Sequence, residues 1–158
     1  MIKLVNVSKS FNDKSGEVKI LDNVNLTFPN NGFVAICGKS GCGKTTLLKM
    51  LSGLIKDYQG DILFDEVNIN KLSYFKRRKF YSKNIFYLKY NDNFFRKLNV
   101  KSAFDFYLNK KEKEKVNQLV EKFELHDLLK KKIKNLSSGE LQKISLCISI
   151  AKKQILLY

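Results

Sequence analysis

Several residue types are scarce in this sequence of 158 residues, and their scarcity narrows the class of protein. The sequence has no tryptophan, a single proline and a single histidine, and its three cysteines lack the paired spacing of metal ligands. We therefore expect neither a disulfide framework nor a zinc site. The longest apolar runs, such as residues 33–37 and 144–151, fall well short of the roughly 18 residues that span a bilayer. The opening residues alternate between apolar and polar, which predicts no secretory signal and a cytoplasmic protein.

Arginine is also scarce, with three residues among 30 basic side chains, while the 15 acidic side chains leave a net charge of +15. Proteins that bind nucleic acid specifically favour the arginine fork on guanine and on phosphate. The lysines here are scattered, with dense clusters only at residues 110–115 and 130–134, and a solvated face is the simpler interpretation. We expect no specific nucleic acid as a partner. A basic module that binds nucleic acid or a lipid surface is kept as an alternative.

The remaining composition is that of a folding protein, with 44% apolar residues. Alternation predicts strands over residues 2–8 and 20–28, and the unbroken apolar run of residues 33–37 predicts a strand buried on both faces. Leucines recur at helical spacing from Lys44, and Gly53 is a plausible stop. The first half of the sequence therefore predicts an α/β arrangement.

The later part of the chain is mainly helical in pattern. Residues from about 100 to 129 carry helical periodicity and predict a small helical lobe. A further helix is expected after residues 136–140, where Ser137 is a candidate cap. The last four residues, 155–158, have the pattern of a strand that is just beginning.

A glycine-rich segment lies between the apolar run of residues 33–37 and the predicted helix. It fits the spacing of a P-loop, with the residues Gly38, Lys39, Ser40, Gly41, Cys42, Gly43, Lys44 and Thr45. Phosphate oxygens need backbone N–H groups at close range, so Gly41 and Gly43 are expected where a Cβ would clash or φ must be positive. Lys44 would reach the β- and γ-phosphates, and the Thr45 hydroxyl would bind Mg²⁺. A chance glycine-rich turn is the simpler alternative, but the flanking strand and helix favour nucleotide binding.

Four segments follow one another in an order that resembles the nucleotide-binding domains of ABC transporters. They are residues 2–11, residues 21–26, the P-loop and residues 136–140. The resemblance covers the whole chain and implies an ABC-type P-loop NTPase, an α/β fold with an N-terminal antiparallel β portion and an inserted helical lobe. It implies ATP and Mg²⁺ as cofactors, and a membrane permease and a second ATP-binding domain as partners. It also implies a peripheral location on the inner face of the cell membrane.

The resemblance also indicates a subgroup of the family and assigns roles to single residues. Residues 21–24 and 60–73 look most like the subgroup that works with exporter or lipoprotein-release permeases. Phe11 takes the aromatic position that stacks on adenine, with a core aromatic as the alternative. Gly38 to Thr46, including Thr46 itself, would hold the phosphates. The signature segment would contact the ATP of the partner subunit, with a plain helix cap as the alternative. Its residues are Ser137, Ser138, Gly139 and Glu140.

The chain departs from the family at several positions. Ser138 replaces the first glycine of the signature pair and Glu140 replaces a glutamine, changes that binding across a dimer could survive. Tyr90 stands where the family has a glutamine that helps to hold Mg²⁺, and a phenol is a poor replacement for an amide carbonyl. His126, the single histidine, precedes the signature segment and so cannot be the family's switch histidine.

The family's remaining acids are expected beyond Tyr158, where this sequence stops. They are the Walker B aspartate and the catalytic glutamate, followed by the switch histidine, so no catalytic residue is predicted within the chain. We therefore expect a single incomplete ABC-type domain that lacks the C-terminal part of its core. Residues 1–75 and 153–158 would form the β portion and the P-loop core. Residues from about 76 to 152 would form the connecting strand, helical lobe and signature helix.

Three functions are compatible with these patterns. The first is an ATP-binding subunit that couples ATP binding and hydrolysis to transport through a membrane permease. The second is a truncated, hydrolysis-deficient remnant or a regulatory nucleotide binder. The third is the basic module described above. A different P-loop enzyme, such as a small kinase, is a more distant alternative that the signature segment argues against.

Overall fold

The computed structural model of the chain describes residues 1–13, 16–87 and 97–157. These residues fall into two units, Met1–Tyr81 and Ser82–Tyr158. Within the described ranges, no helix combines the length and the apolar character that crossing a bilayer requires.

The first unit is built on an antiparallel sheet with the strand order β2-β1-β3-β4. The strands are β1 (Ile2–Asp13), β2 (Gly16–Phe28), β3 (Gln59–Phe64) and β4 (Val67–Asn68). The pleat turns alternate side chains of β1 and β3 toward the core. The buried residues on these two strands include Ile2, Leu4, Val7, Ile62 and Phe64. The predicted N-terminal antiparallel β portion is confirmed.

β1 bends where β3 comes closest to it. Asn6 has a φ of 50°, and the β1–β3 register shifts between Val5 and Ser8. Asn25 of β2 supports this bend, because its Oδ1 accepts a hydrogen bond from the Asn6 amide at 3.0 Å. On the other side Gly60 has a φ of 84°, and a Cβ at this position would lie 2.3 Å from the Asn6 carbonyl oxygen. A glycine is therefore needed for β3 to approach β1 so closely.

The helix α1 (Lys44–Leu51) begins directly after the glycine-rich segment. It buries Leu47 and Met50 on one face. It ends just before Gly53, where the sequence predicted a stop, and the Gly53 amide donates to the Met50 carbonyl at 3.0 Å. The φ of Gly53 is 75°, the left-handed conformation that commonly ends a helix. The basic stretch that follows β4 forms a 3-10 turn over Ile69–Lys71 and then α2 (Tyr74–Asn84).

The prediction of a strand over residues 33–37 is wrong. No strand pairs with this segment in the described part of the chain, and Phe33 is 95% exposed. A strand that is buried on both faces needs a neighbouring strand on each side as well as apolar side chains. The apolar run indicates a tendency toward burial, but it carries no information about the partners that would bury it. Within the segment, Ile36 is the residue that is partly buried.

The second unit combines a two-stranded parallel sheet with a helical lobe. β5 (Ile85–Tyr87) pairs in parallel with β6 (Ile155–Leu157). Among the described residues from 97 onward, the helices are α3 (Val100–Tyr107), α4 (Lys110–Lys122) and α5 (Ser138–Lys152), with 3-10 turns over His126–Leu128 and Ile133–Asn135. Their apolar faces share one core, in which Val100, Val116 and Cys147 are fully buried. The predicted helical lobe and the final strand are confirmed.

The close approach at Gly60 can be tested by substitution. Gly60→Ala should lower the free energy of unfolding by about 2 kcal/mol or more, because its Cβ would meet the Asn6 backbone and its φ disfavours an L-residue. Gly41→Ala is a matched control, since Gly41 has a φ of 81° but no heavy atom within 4 Å of its Cβ position. We expect the control to cost about 1 kcal/mol. Urea unfolding measures both values, and equal costs would contradict the steric argument.

Candidate functional site

The glycine-rich segment ends at a helix start that no side chain caps. Gly43 is the N-cap of α1, with φ of 95° and ψ of 3°, and no described side chain accepts a hydrogen bond at this cap. Side chains cap the later helices α3, α4 and α5, namely Asn99, Asn109 and Ser137. The first amides of α1, those of Lys44, Thr45 and Thr46, therefore lack the acceptor that a side-chain cap would provide. Such a helix start favours an anion through its N–H groups and its dipole.

Gly43 also fixes the loop against the β1–β2 hairpin. A Cβ at Gly43 would lie 3.1 Å from Ile20 Cγ2, 3.1 Å from Leu21 Cδ2 and 3.2 Å from the Ile20 carbonyl oxygen. The positive φ and the packing therefore both favour glycine at this position. Gly41 has a positive φ of 81° and open space around its Cβ position, so its own conformation is the reason for glycine there. These two positions confirm the positive φ that the P-loop pattern predicted.

The Lys44 side chain folds back over the loop. Its Nζ donates to the carbonyl oxygens of Gly38 and Lys39, each at 2.8 Å. The loop is drawn together further by the Cys42 amide, which donates to the Lys39 carbonyl at 3.3 Å. The ammonium group is thus held at the loop by two backbone carbonyl oxygens, and Cys42 Sγ lies 3.7 Å from it. A phosphate group would offer it an anionic acceptor, which adds the attraction between opposite charges to the hydrogen bond.

The remaining predicted phosphate ligands lie at the surface of the loop. The exposed ones are Lys39, Ser40, Gly41, Cys42 and Thr45, whereas Thr46 is partly buried. The uncapped amides, the open loop and the ammonium group together fit a polyphosphate. The described residues include no group of three or more His, Cys, Asp or Glu that could hold a metal ion. The Thr45 hydroxyl is exposed at the loop and is one of the predicted magnesium positions. Tyr90, the other predicted metal position, lies outside the described residues.

Phe11 lies on β1, in the hairpin that contacts the loop. It is paired with Val18, and Lys9 is paired with Leu21, the residue that packs against Gly43. Phe11 is 41% exposed, so it is not a core aromatic. The Lys9 ammonium lies over its ring, with Nζ 4.6 Å from the ring centroid. The hairpin thus supports both the loop and an exposed aromatic ring, and adenine stacking by Phe11 stays a prediction.

The signature segment forms the start of α5 in the second unit. Ser137 is the N-cap, and its Oγ accepts a hydrogen bond from the Glu140 amide at 3.2 Å. Glu140 completes a capping box, because its Oε2 accepts from the Ser137 amide at 2.7 Å. Ser138 and Gly139 are exposed, and no heavy atom lies within 4 Å of the position of a Gly139 Cβ. The predicted cap at Ser137 is confirmed, and contact with a partner's ATP stays a prediction.

Hydrogen bonds hold the pKa of Glu140 well below its ordinary value, at about 2. The largest cause is the Ser137 amide, and the second is Lys131, whose Nζ donates to Glu140 Oε1 at 3.0 Å. The carboxylate therefore stays ionised at neutral pH and is occupied by the cap. A glutamine would offer the same oxygen to the Ser137 amide but would not attract Lys131 by charge.

Two lysines near the candidate residues were missed by the sequence patterns. The Lys9 ammonium lies over the ring of Phe11, and the two-residue spacing within a strand was a signal that they share a face. Lys131 holds Glu140, but nothing in the local pattern distinguishes it from the other lysines of its cluster. His126 lies at the surface, and its Nε2 is 3.0 Å from Glu121 Oε2.

Comparison with known proteins shows what the chain is similar to. A family model described as ABC transporter matches residues 21–158. An aliphatic sulfonates import ATP-binding protein, SsuB of Bacillus cereus, is 32% identical over 152 residues, which cover 96% of this chain and 58% of that protein. The spermidine/putrescine import ATP-binding protein PotA of Desulfitobacterium hafniense is 34% identical over 159 residues, which cover 97% of this chain and 43% of that protein.

Among solved structures, the chain is also similar to an ATP-binding cassette. The dimeric structure of the ATP-binding cassette MJ0796, bound to ADP and Pi in a post-hydrolysis state, matches with a TM-score of 0.80 and 25% identity. The match covers 99% of this chain and 72% of that one. The chain thus matches the solved cassette along nearly its whole length, but it spans only 58% and 43% of the two curated relatives.

The lowered pKa of Glu140 predicts a pH dependence of stability. A carboxyl group whose pKa is lower in the folded state stabilises the fold above its unfolded value, and this contribution is lost as the pH falls. The window runs from the ordinary pKa of 4.5 down to about 2. We therefore expect the difference in unfolding free energy between wild type and Glu140→Gln to shrink as the pH falls through this window.

Denaturant unfolding at a series of pH values measures that difference. Lys131→Met is the control, because it removes the second donor and should reduce the pH dependence without abolishing it. A difference between wild type and Glu140→Gln that stays constant across the window would contradict the assignment.

Proposed function

Because the chain belongs to the ABC transporter family, we propose that it binds ATP through its P-loop and that this binding serves transport through a membrane permease. The observation that carries the proposal is the uncapped start of α1 beside the Lys44 ammonium. The amides would bind the phosphate oxygens, and Lys44 would exchange its carbonyl acceptors for the β- and γ-phosphates. Magnesium, when bound, would neutralise phosphate charge, with the Thr45 hydroxyl as one of its ligands.

The signature segment supports a second ATP-binding domain as a partner. Glycine in a helix costs up to about 1 kcal/mol relative to alanine, and Gly139 lies in the first turn of α5. Neither its backbone conformation nor the packing around it requires glycine, since the space at its Cβ position is empty. Close approach of a ligand from another molecule would explain the residue. We therefore propose that Ser137, Ser138 and Gly139 contact ATP held by a partner subunit.

Binding is better supported than hydrolysis in the described residues. Transfer of the γ-phosphate to water requires a group that orients the attacking water. The carboxylate of the signature segment, Glu140, is held by the Ser137 amide and by Lys131. We propose hydrolysis for the whole protein on the family resemblance, and a regulatory nucleotide binder is the second candidate. The two units would together form one ATP-binding domain.

An exposed aromatic and basic surface supports a protein partner for the first unit. Phe75 of α2 is 80% exposed, and its neighbour Tyr74 lines a cleft of about 250 Å³. The basic side chains in this cleft are Lys56, Arg77 and Arg78. Exposed apolar patches mark interaction sites, and a permease is the partner that we propose for this one. Such a contact would place the chain at the inner face of the membrane.

The direction of transport is a finer question. The two curated relatives described above are named as import proteins. Residues 21–24 and 60–73 predicted the exporter or lipoprotein-release subgroup, and the comparisons do not confirm that prediction.

A nucleic-acid role is less well supported, because two lysines of the basic clusters bind acidic side chains. These are Lys113, bound to Asp105 at 2.7 Å, and Lys131, bound to Glu140.

Removing the P-loop ammonium tests the proposed site. Lys44→Ala should weaken binding of Mg-ATP at least tenfold, because the charge that meets the β- and γ-phosphates is lost. Lys49→Ala is the matched control, since it removes an exposed cation from the last turn of the same helix. Titration with a fluorescent ATP analogue measures the affinities. Equal affinity of wild type and Lys44→Ala would contradict the site.

The same proteins test for hydrolysis. Phosphate release from ATP that Lys44→Ala abolishes would identify an ATPase and exclude a purely regulatory nucleotide binder. Binding without phosphate release is the result expected of the 158-residue chain, in which no catalytic residue is predicted.

Substitution of Gly139 tests the role of the signature segment. Gly139→Ala should leave the free energy of unfolding unchanged or raise it by up to about 1 kcal/mol, because alanine favours the helix and meets no neighbour. It should weaken ATP-dependent dimer formation, because the new methyl group would meet the partner's nucleotide. Sedimentation with and without ATP measures the dimer, and ATP binding by the monomer is the control. Dimer formation equal to wild type would contradict the proposed contact.

A further inference from the structure

Lys9 is the charged residue that the first unit buries. Its side chain is 6% exposed, and no other charged residue is buried in the described part of the chain. Lysine is almost never fully buried unless it is paired, because its ammonium loses hydration. The buried ammonium of Lys9 therefore requires a partner of opposite charge.

Asp57 is that partner. Its Oδ2 accepts a hydrogen bond from Lys9 Nζ at 2.6 Å, while the Asp57 side chain stays 87% exposed. The fold brings the two together because Gln59 pairs with Ser8, next to Lys9, and because Gly60 lets β3 approach the bend of β1. The ammonium is therefore anchored from the segment that leads into β3.

The anchored ammonium lies over the ring of Phe11. Nζ is 4.6 Å from the ring centroid, within the distance at which a cation is attracted to an aromatic face. Lys9 and Phe11 are two residues apart on β1, so their side chains project from the same face of the strand. One face of the ring is thus covered by a fixed cation, and the side chain of Phe11 is still 41% exposed.

We propose that Lys9 is a positioning residue that, held by Asp57, orients Phe11 as a stacking surface for the adenine of bound ATP. This inference rests on the proposed function, since it requires that ATP binds and that Phe11 meets the base. The cation restricts stacking to the opposite ring face and limits the rotation of the ring. It also draws π-electron density toward itself, which favours contact between the other face and an electron-rich purine.

A purely structural ion pair would have different consequences. If Lys9 and Asp57 merely join β1 to the segment before β3, then loss of the pair would weaken the fold and every ligand of the loop alike. If Lys9 positions Phe11, then its loss would weaken ligands that have a base and spare ligands that have only phosphates. The second pattern also requires that the effect of Lys9 depend on the ring of Phe11.

The experiment compares Mg-ATP with magnesium tripolyphosphate, which offers the phosphates without a base. Equilibrium affinities of both ligands are measured on the 158-residue chain for wild type, Lys9→Met, Phe11→Leu and the double variant. Lys3→Met is the matched control, because it removes one positive charge from an exposed lysine of the same strand. Lys9→Arg tests rescue, since a guanidinium keeps the charge and can stack on the ring.

We expect Lys9→Met to weaken Mg-ATP about three- to tenfold, the range of a cation–π contact. Binding of tripolyphosphate should change no more than it does in Lys3→Met. In the Phe11→Leu background Lys9→Met should have no further effect on ATP, and Lys9→Arg should retain the affinity within about twofold.

Three results would overturn the inference: equal losses for both ligands, full additivity with Phe11→Leu, or unchanged ATP binding in Lys9→Met. If wild type binds neither ligand, the proposed function itself fails. If Lys9→Met does not fold, Asp57→Asn gives the same test, because it removes the anchoring charge from an exposed residue. It should weaken ATP selectively, and equal affinities of Asp57→Asn and wild type for ATP would then contradict the inference.

Discussion

The close approach of β2 to the start of α1 is the constraint on which the candidate site depends. Because Gly43 has no Cβ, Ile20 and Leu21 reach the loop at contact distance, and the helix begins directly at Lys44. The free amides of the helix start and the hairpin that carries Phe11 therefore share one support. A larger residue at position 43 would strain the loop and separate it from the hairpin, so the candidate phosphate loop and the hairpin that carries Phe11 would be affected together.

Helix ends serve two purposes in this chain. α3, α4 and α5 start with side-chain caps, which satisfy their own amides and stabilise the fold. α1 starts with a glycine and leaves its amides available to a ligand. At α5 the two purposes are separated within a few residues, because Ser137 and Glu140 form the cap while Gly139 between them leaves open space. Ser137 can thus cap the helix while the nearby Gly139 leaves space for a ligand.

The features that sequence predicted well are local ones. The spacing of the P-loop glycines encodes backbone conformation within eight residues, and Ser137 and Glu140 encode a cap within four, so both could be derived from the chain alone. The strand over residues 33–37 failed because burial depends on neighbouring strands, which an apolar run does not specify. Lys9 was missed because its burial follows from Asp57, 48 residues later in the chain. The bend at Asn6 and the glycine at position 60 let β3 approach β1, and Asp57 lies just before β3.

The exposed apolar run of residues 33–37 bears on how the protein would behave in solution. Phe33 and Val34 are both exposed, and the run is rich in residues that favour strands. An exposed segment with high β-propensity is an aggregation hazard, because pairing with another molecule would cover its side chains and satisfy its backbone together. Association by this route would involve no nucleotide. Turbidity would then rise with protein concentration whether or not ATP is present, and a charged residue in place of Phe33 would improve solubility without touching the phosphate loop.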